Sequence, residues 1–209
     1  MFLSRLVLNA TSRRVRTEIS RPYELHRTLM RAFPPAQDSE NGRVLFRLDR
    51  DREEDMGAIL LLVQSQEEPN WTSLETARDF LREPPQCKPF TPIFHPGQVL
   101  RFRLRANPTV KRQGKRFGLL KEEQQLEWLH RKGEAGGFAS LSVVAIPERQ
   151  MEDKKTDEAG QAHDLTLTAV RFDGVLRITD PTTFNRTLEQ GVGSGKGFGF
   201  GLLSVASMR

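Results

Sequence analysis

Glu83-Pro84-Pro85-Gln86-Cys87-Lys88-Pro89-Phe90-Thr91-Pro92 is the densest proline stretch of the chain and falls near its middle. Proline fixes φ and donates no backbone hydrogen bond, so such a run reads as a connection between folded parts. On either side, the apolar residues recur with the periods of strands and helices. Before the prolines they predict a strand at 2–8, a helix at 22–33, strands at 43–48 and 58–64, and a helix at 73–81. After them come an alternating strand at 99–106, a helix at 122–132, and strands at 138–146 and 165–172. Asp173-Gly174, between two strand-like runs, predicts a tight hairpin. Asp180-Pro181 predicts the N-cap and first-turn proline of a last helix ending at Gly191.

Each half therefore approximates β-α-β-β-α-β. The expected fold class is α+β, with two tandem ferredoxin-like (βαββαβ) domains at 1–88 and 93–209. A chain of 209 residues is long enough for both. The charged segment 147–163 lacks apolar periodicity and is expected to be a projecting hairpin or a mobile loop.

A single cysteine, Cys87, excludes an intrachain disulfide, and four scattered histidines show no metal-ligand spacing. No metal or cofactor is expected. Neither a signal-peptide core nor a run of about 18 apolar residues is visible, which predicts a cytoplasmic protein with no membrane partner.

Charge is unevenly placed. Lys and Arg exceed Asp and Glu by 32 to 27, yet the stretch 84–121 holds nine cations and no acid. A second block, 5–31, carries seven arginines against Glu18 and Glu24. Segregation of this kind produces a local positive field suited to a nucleic-acid backbone, or simply a solvated basic face. In the strand at 99–106, alternation puts Arg101, Arg103 and Arg105 on one face at about 7 Å intervals, near the spacing of phosphates in a single strand.

Six glycines occupy every second position of Gly191-Val192-Gly193-Ser194-Gly195-Lys196-Gly197-Phe198-Gly199-Phe200-Gly201. Walker A requires Ser or Thr after Gly-Lys, and the Rossmann fingerprint requires glycines at i, i+2 and i+5; neither is met. Two readings stay open: a loop that grips an extended polyanion through backbone N–H groups and Lys196, or a helix C-cap followed by a glycine-rich edge strand.

At 100° per residue, Leu25, Leu29, Ala32 and Phe33 form the buried stripe of the first helix. His26, Met30 and Tyr23 lie progressively farther round, then Arg27 and Arg31. His26 at this boundary suits a general acid or base, and equally a structural histidine. His95, His130 and His163 have no consistent partners.

Pro22-Tyr23-x-x-His26-Arg27-x-Leu29, Arg101-Phe102-Arg103-Leu104-Arg105-Ala106-Asn107-Pro108, Gly114-Lys115-Arg116 and the glycine-rich segment, in this order, resemble the CasE family. These are the CRISPR repeat-processing endoribonucleases of type I-E systems, in the repeat-associated RAMP superfamily. The resemblance spans essentially the whole chain. It implies two ferredoxin-like domains, metal-independent cleavage of stem-loop repeats in precursor CRISPR RNA, and retention of the mature guide RNA among other Cascade subunits. It places the catalytic histidine at His26, its supporting tyrosine at Tyr23 and the basic residue one turn later at Arg31; in such a reaction Arg31 or Arg27 would stabilise the phosphorane. RNA contacts are expected from Arg101, Arg103, Arg105, Arg112, Lys115, Gly195, Lys196 and Gly197. A groove-inserting hairpin would fall at 147–163, with Arg149, Lys154 and Lys155 as its cations. A non-catalytic RNA-binding module is the competing class; a nucleotide-dependent enzyme is disfavoured by the failed motifs.

Overall fold

Alternation in Phe2–Asn9 builds β1, which buries Leu6 and Leu8 on one face and so calls for helices to cover it. α1 (Arg13–Ser20) and α2 (Pro22–Met30) do so, followed by β2 (Leu45–Asp49), β3 (Ala58–Ser65), the short α3 (Thr72–Glu75) and β4 (Gln86–Pro89). The computed structural model describes residues 1–34, 43–49, 57–77, 79–148, 151–156 and 162–208. It is a mixed helix and strand fold whose sheets are antiparallel, divided into two units: Met1–Thr91 with Gly197–Gly199, and Pro92–Lys196 with Phe200–Arg209. Three residues of the expected 93–209 domain thus cluster with the first unit.

In the first unit the strands lie in the order β2-β3-β1-β4. Leu6, Leu8, Phe46, Leu61 and Val63 from the sheet meet Val15, Ile19, Leu25 and Leu29 from the helices. Each such side chain contributes about 1.5–3 kcal/mol on burial. Four local expectations change. α1 precedes the expected helix; its apolar face is only Val15 and Ile19, too short a pattern to read, and Ser12 caps it by accepting from the Val15 N–H. The helix expected at 22–33 ends at Met30, with tighter turns carrying Ala32 and Phe33 toward Pro34. The helix expected at 73–81 stops at Glu75, short of Asp79 with φ of 65°. The proline connection supplies β4, whose Gln86 to Pro89 pair with Arg5 to Phe2; an edge strand accommodates proline.

The second unit runs β5 (Val99–Ala106), β6 (Thr109–Arg112), β7 (Lys115–Gly118), α4 (Glu122–Ala135), β8 (Phe138–Pro147), β9 (Met151–Thr156), β10 (Ala162–Leu167), β11 (Val170–Ile178), α5 (Pro181–Gln190) and β12 (Leu203–Ser207). Its main sheet has the order β12-β5-β11-β8, with β6-β7 and β9-β10 as separate two-stranded ladders. Trp128 and Leu129 of α4 and Phe184 and Leu188 of α5 pack on Leu100, Phe102, Leu104, Phe172 and Leu176. α5 starts as the sequence predicts: Asp180 accepts from the Thr182 and Thr183 N–H groups, and Gly191 closes it at φ 72°. The glycines that follow form turns and not the edge strand; β12 begins only at Leu203.

The Asp173-Gly174 hairpin is not formed. β11 runs straight through it, because Asp173 pairs with Arg103 and Arg171, and Gly174 faces β8 so closely that a Cβ would lie 2.1 Å from the Ser142 carbonyl oxygen. The glycine serves strand packing. Gly174→Ala is therefore expected to destabilise by about 1–3 kcal/mol, the usual cost of overpacking. Urea unfolding of the variant measures this, and an unchanged midpoint would show that β8 yields freely.

Candidate active site

Pro22 at the first position of α2 fixes the helix start, and one turn separates Tyr23 from His26. Leu25 and Leu29 beside them are fully buried, which holds His26 half-buried at the edge of the core. The imidazole is stacked on Phe46 of β2, ring centroids 6.0 Å apart and planes 11° from parallel. Tyr23 stands 6.1 Å away at 42°, and is itself stacked on Phe198 at 5.6 Å. Phe198 ends the single 3-10 turn Lys196–Phe198.

The glycine segment closes this cluster. A Cβ on Gly197 would lie 3.3 Å from His26 Cδ2, and one on Gly199 would lie 3.0 Å from Phe46 Cε2. Nδ1 of His26 is buried with no hydrogen-bond partner among the described residues, which leaves Nε2 as the nitrogen open to a substrate. Burial removes water from the charged form and lowers the His26 pKa below its ordinary value. The neutral imidazole, able to accept a proton, is thus the dominant form at neutral pH.

The basic residues are sorted differently from their sequence order. Arg27 is exposed and pairs with Glu24 at 3.2 Å; Arg31, just past α2, is exposed and makes no ion pair with another described residue. Arg101, Arg103 and Arg105 share one face of β5 as expected. Only Arg101 has no ion pair with a described residue: Arg103 is bidentate to Asp173, at 2.7 and 3.1 Å, and Arg105 bonds Glu148 at 2.6 Å while lying over Phe200. Arg112 and Lys115 face each other beside the β6-β7 turn, where Gln113 and Gly114 both have positive φ, and both are exposed. Gly195 packs against Phe200, and Lys196 opens the 3-10 turn. Of the charged segment, β9 and β10 form a hairpin with Lys154 opposite Asp164 and Lys155 opposite His163; Arg149 lies outside the described residues.

Two residues of the cluster escaped the sequence reading. Phe198 was marked only by its place between two glycines. Phe46 carries no signal beyond that of an ordinary core residue. Among the described residues there is no group of three or more His, Cys, Asp or Glu placed to hold a metal, and no helix long and apolar enough to cross a membrane.

The chain matches the model of the CRISPR associated protein family over residues 1–207. It belongs to that family. It is 40% identical to the CRISPR-associated endoribonuclease Cse3 of Thermus thermophilus, over 99% of this chain and 100% of that one. It is 30% identical to the CRISPR system Cascade subunit CasE of Escherichia coli, over 100% of each. Its fold is similar to that of a Cse3 endoribonuclease bound to a 19-nucleotide RNA, with a TM-score of 0.85 and 39% identity over 99% of this chain and 100% of that chain.

The lowered pKa has a consequence for stability. Below the ordinary histidine value of 6.5 the unfolded chain binds this proton and the folded chain resists it, so stability present above 6.5 is lost as the pH falls through the folded pKa. His26→Gln removes that dependence. The unfolding midpoint of the wild type is expected to fall relative to that of the variant as buffers are taken from about pH 7 to about pH 5; parallel curves would mean that the imidazole titrates as if solvated.

Proposed function

We propose that this chain is an endoribonuclease that processes precursor CRISPR RNA at stem-loop repeats and remains with the mature guide RNA as a subunit of a Cascade complex. The observation that carries the reading is His26, its Nδ1 buried and unpartnered among the described residues, set beside Tyr23 and closed in by the glycine turn. The 40% identity to an endoribonuclease over nearly the whole chain supports it. In each unit the strand order, with helical connections after the first and third strands of the main sheet, supports a ferredoxin-like assignment.

RNA brings its own nucleophile. As the 2′-oxygen attacks phosphorus its proton passes to Nε2; the P–O5′ bond breaks and the 5′-oxygen takes up a proton. The products are a 2′,3′-cyclic phosphate and a 5′-hydroxyl. Tyr23 aligns the 2′-hydroxyl or assists its proton transfer, and Arg31 or Arg27 offsets charge on the phosphorane. No metal is needed for any of these steps. Arg101 and the exposed cations of the β6-β7 hairpin, including Arg112 and Lys115, provide the phosphate contacts that hold the RNA.

His26→Ala is expected to slow cleavage of a repeat hairpin by about 10²–10⁴-fold, the scale of general acid–base catalysis, with affinity within a few-fold. A 2′-deoxy substitution before the scissile phosphate should block cleavage of bound RNA, and EDTA should leave the rate unchanged. Full activity in His26→Ala, or a magnesium requirement, would leave a different enzyme or a plain RNA-binding module. Arg101→Glu is expected to weaken binding and to reduce the slope of log affinity against log salt by about one phosphate contact. A slope equal to that of the wild type would move the RNA path away from β5.

A further inference from the structure

We propose that Phe46 is the positioning residue of His26, acting with the glycine turn to hold the imidazole between apolar walls. The inference rests on the catalytic reading of His26. A catalytic imidazole is commonly oriented by a hydrogen bond from its second nitrogen to a carboxylate or carbonyl. Here that nitrogen, Nδ1, is buried and has no such partner among the described residues. Something other than a polar anchor must therefore set the ring's orientation.

Phe46 meets that need. It is fully buried, and its antiparallel partner Val63 lies in the same core, so its own ring is held by the packing of that core. One face of the ring carries the imidazole, nearly parallel at 6.0 Å. Its Cε2 edge abuts Gly199, where no side chain can fit without moving the ring. Gly197 closes on Cδ2 of the imidazole itself. Shifting either contact turns or releases His26 while leaving every cationic side chain in place. Of the elements packed around the imidazole, α2 brings Tyr23 and the exposed Glu24–Arg27 pair, the glycine turn begins with Lys196, and β2 brings Phe46, with Arg47 and Asp49 on its other face.

Two variants approach the ring from opposite sides. Phe46→Leu removes the stacking wall. Gly197→Ala adds a methyl group at 3.3 Å from Cδ2, at a backbone position outside the left-handed region, so it presses on the imidazole without backbone strain. Each is expected to slow single-turnover cleavage of bound repeat hairpin by about tenfold to a hundredfold, and Phe46→Leu to change the dissociation constant by less than about threefold. In Phe46→Leu the acid limb of the rate profile, and the His26 titration followed by nitrogen NMR of the ring, should move together toward the ordinary histidine value.

A folded Phe46→Leu with an unmoved His26 titration and a near-normal rate would overturn the proposal. Should Phe46→Leu fail to fold, Gly197→Ala decides: a normal rate with weakened binding would make this glycine an RNA contact and overturn the proposal. The two readings can fail separately. Full cleavage by His26→Ala would sink the catalytic assignment, while the NMR titration of Phe46→Leu would still report whether Phe46 holds the ring.

Discussion

A Cβ atom at residue 197 or 199 would occupy the space next to which an imidazole and a phenylalanine ring now stand, and this exclusion governs the whole glycine segment. The period of two has a physical reading. Four successive glycines each abut an aromatic ring: Gly193 against Trp128, Gly195 against Phe200, Gly197 against His26 and Gly199 against Phe46, with the missing Cβ atoms 2.9 to 3.3 Å from the nearest ring atoms. Phe198 between the last two of them, and Val192 and Phe200 at either end, are buried. Close packing of rings against these glycines accounts for the missing side chains, whether or not backbone N–H groups of the segment also meet a polyanion.

Electrostatics follow a similar division between what is adjacent in sequence and what is adjacent in space. The stretch 84–121 contains no acid, yet Arg103 meets Asp173 across 70 residues and Arg105 meets Glu148 across 43. Both pairs are partly buried, with side chains 14–31% exposed. Their effect lies in the charges they occupy. Of the nine cations in that stretch, Lys88, Arg101, Lys121 and the four basic residues of the β6-β7 hairpin make no ion pair with a described residue; the hairpin's four are all exposed, and its short turn carries no acidic residue. A salt-dependent field centred on a hairpin differs from one spread along a strand, although both have the same composition.

Most elements were legible because their signals are local. The alternation of β5, the cap and proline of α5, and the core stripe of α2 depend on neighbours within a turn or two. The failures lie where tertiary contacts set the outcome. Asp173-Gly174 has the composition of a hairpin turn, but ion pairs on one residue and the approach of β8 at the other keep the strand continuous. The proline stretch reads as a linker, and an unpaired edge beside β1 makes part of it a strand. At the candidate site, helical spacing sets His26 and Tyr23 at the boundary of the core, and the family resemblance supplies the roles expected of them. Phe46 did not, since a phenylalanine in a strand is a core residue in almost any context.

The same packing that hides Phe46 from the sequence bears on the chemistry proposed for the site. Apolar walls fix a ring without a hydrogen bond, but they also remove the water that would solvate its cation, so the histidine rests neutral and is ready to take a proton. Once it has done so, the imidazolium lies in a place that disfavours charge. A carboxylate on Nδ1 would relieve this in the free protein, at the cost of protonating the resting base. In the proposed reaction, an anionic phosphate brought near Nε2 would relieve it only when substrate is present. The opposite charge stabilises the imidazolium, and the neutral form is restored when the proton leaves. A site arranged in this way separates two demands that a permanent counter-ion would set against each other: a free base before the substrate arrives, and a stabilised acid while the phosphate is in place.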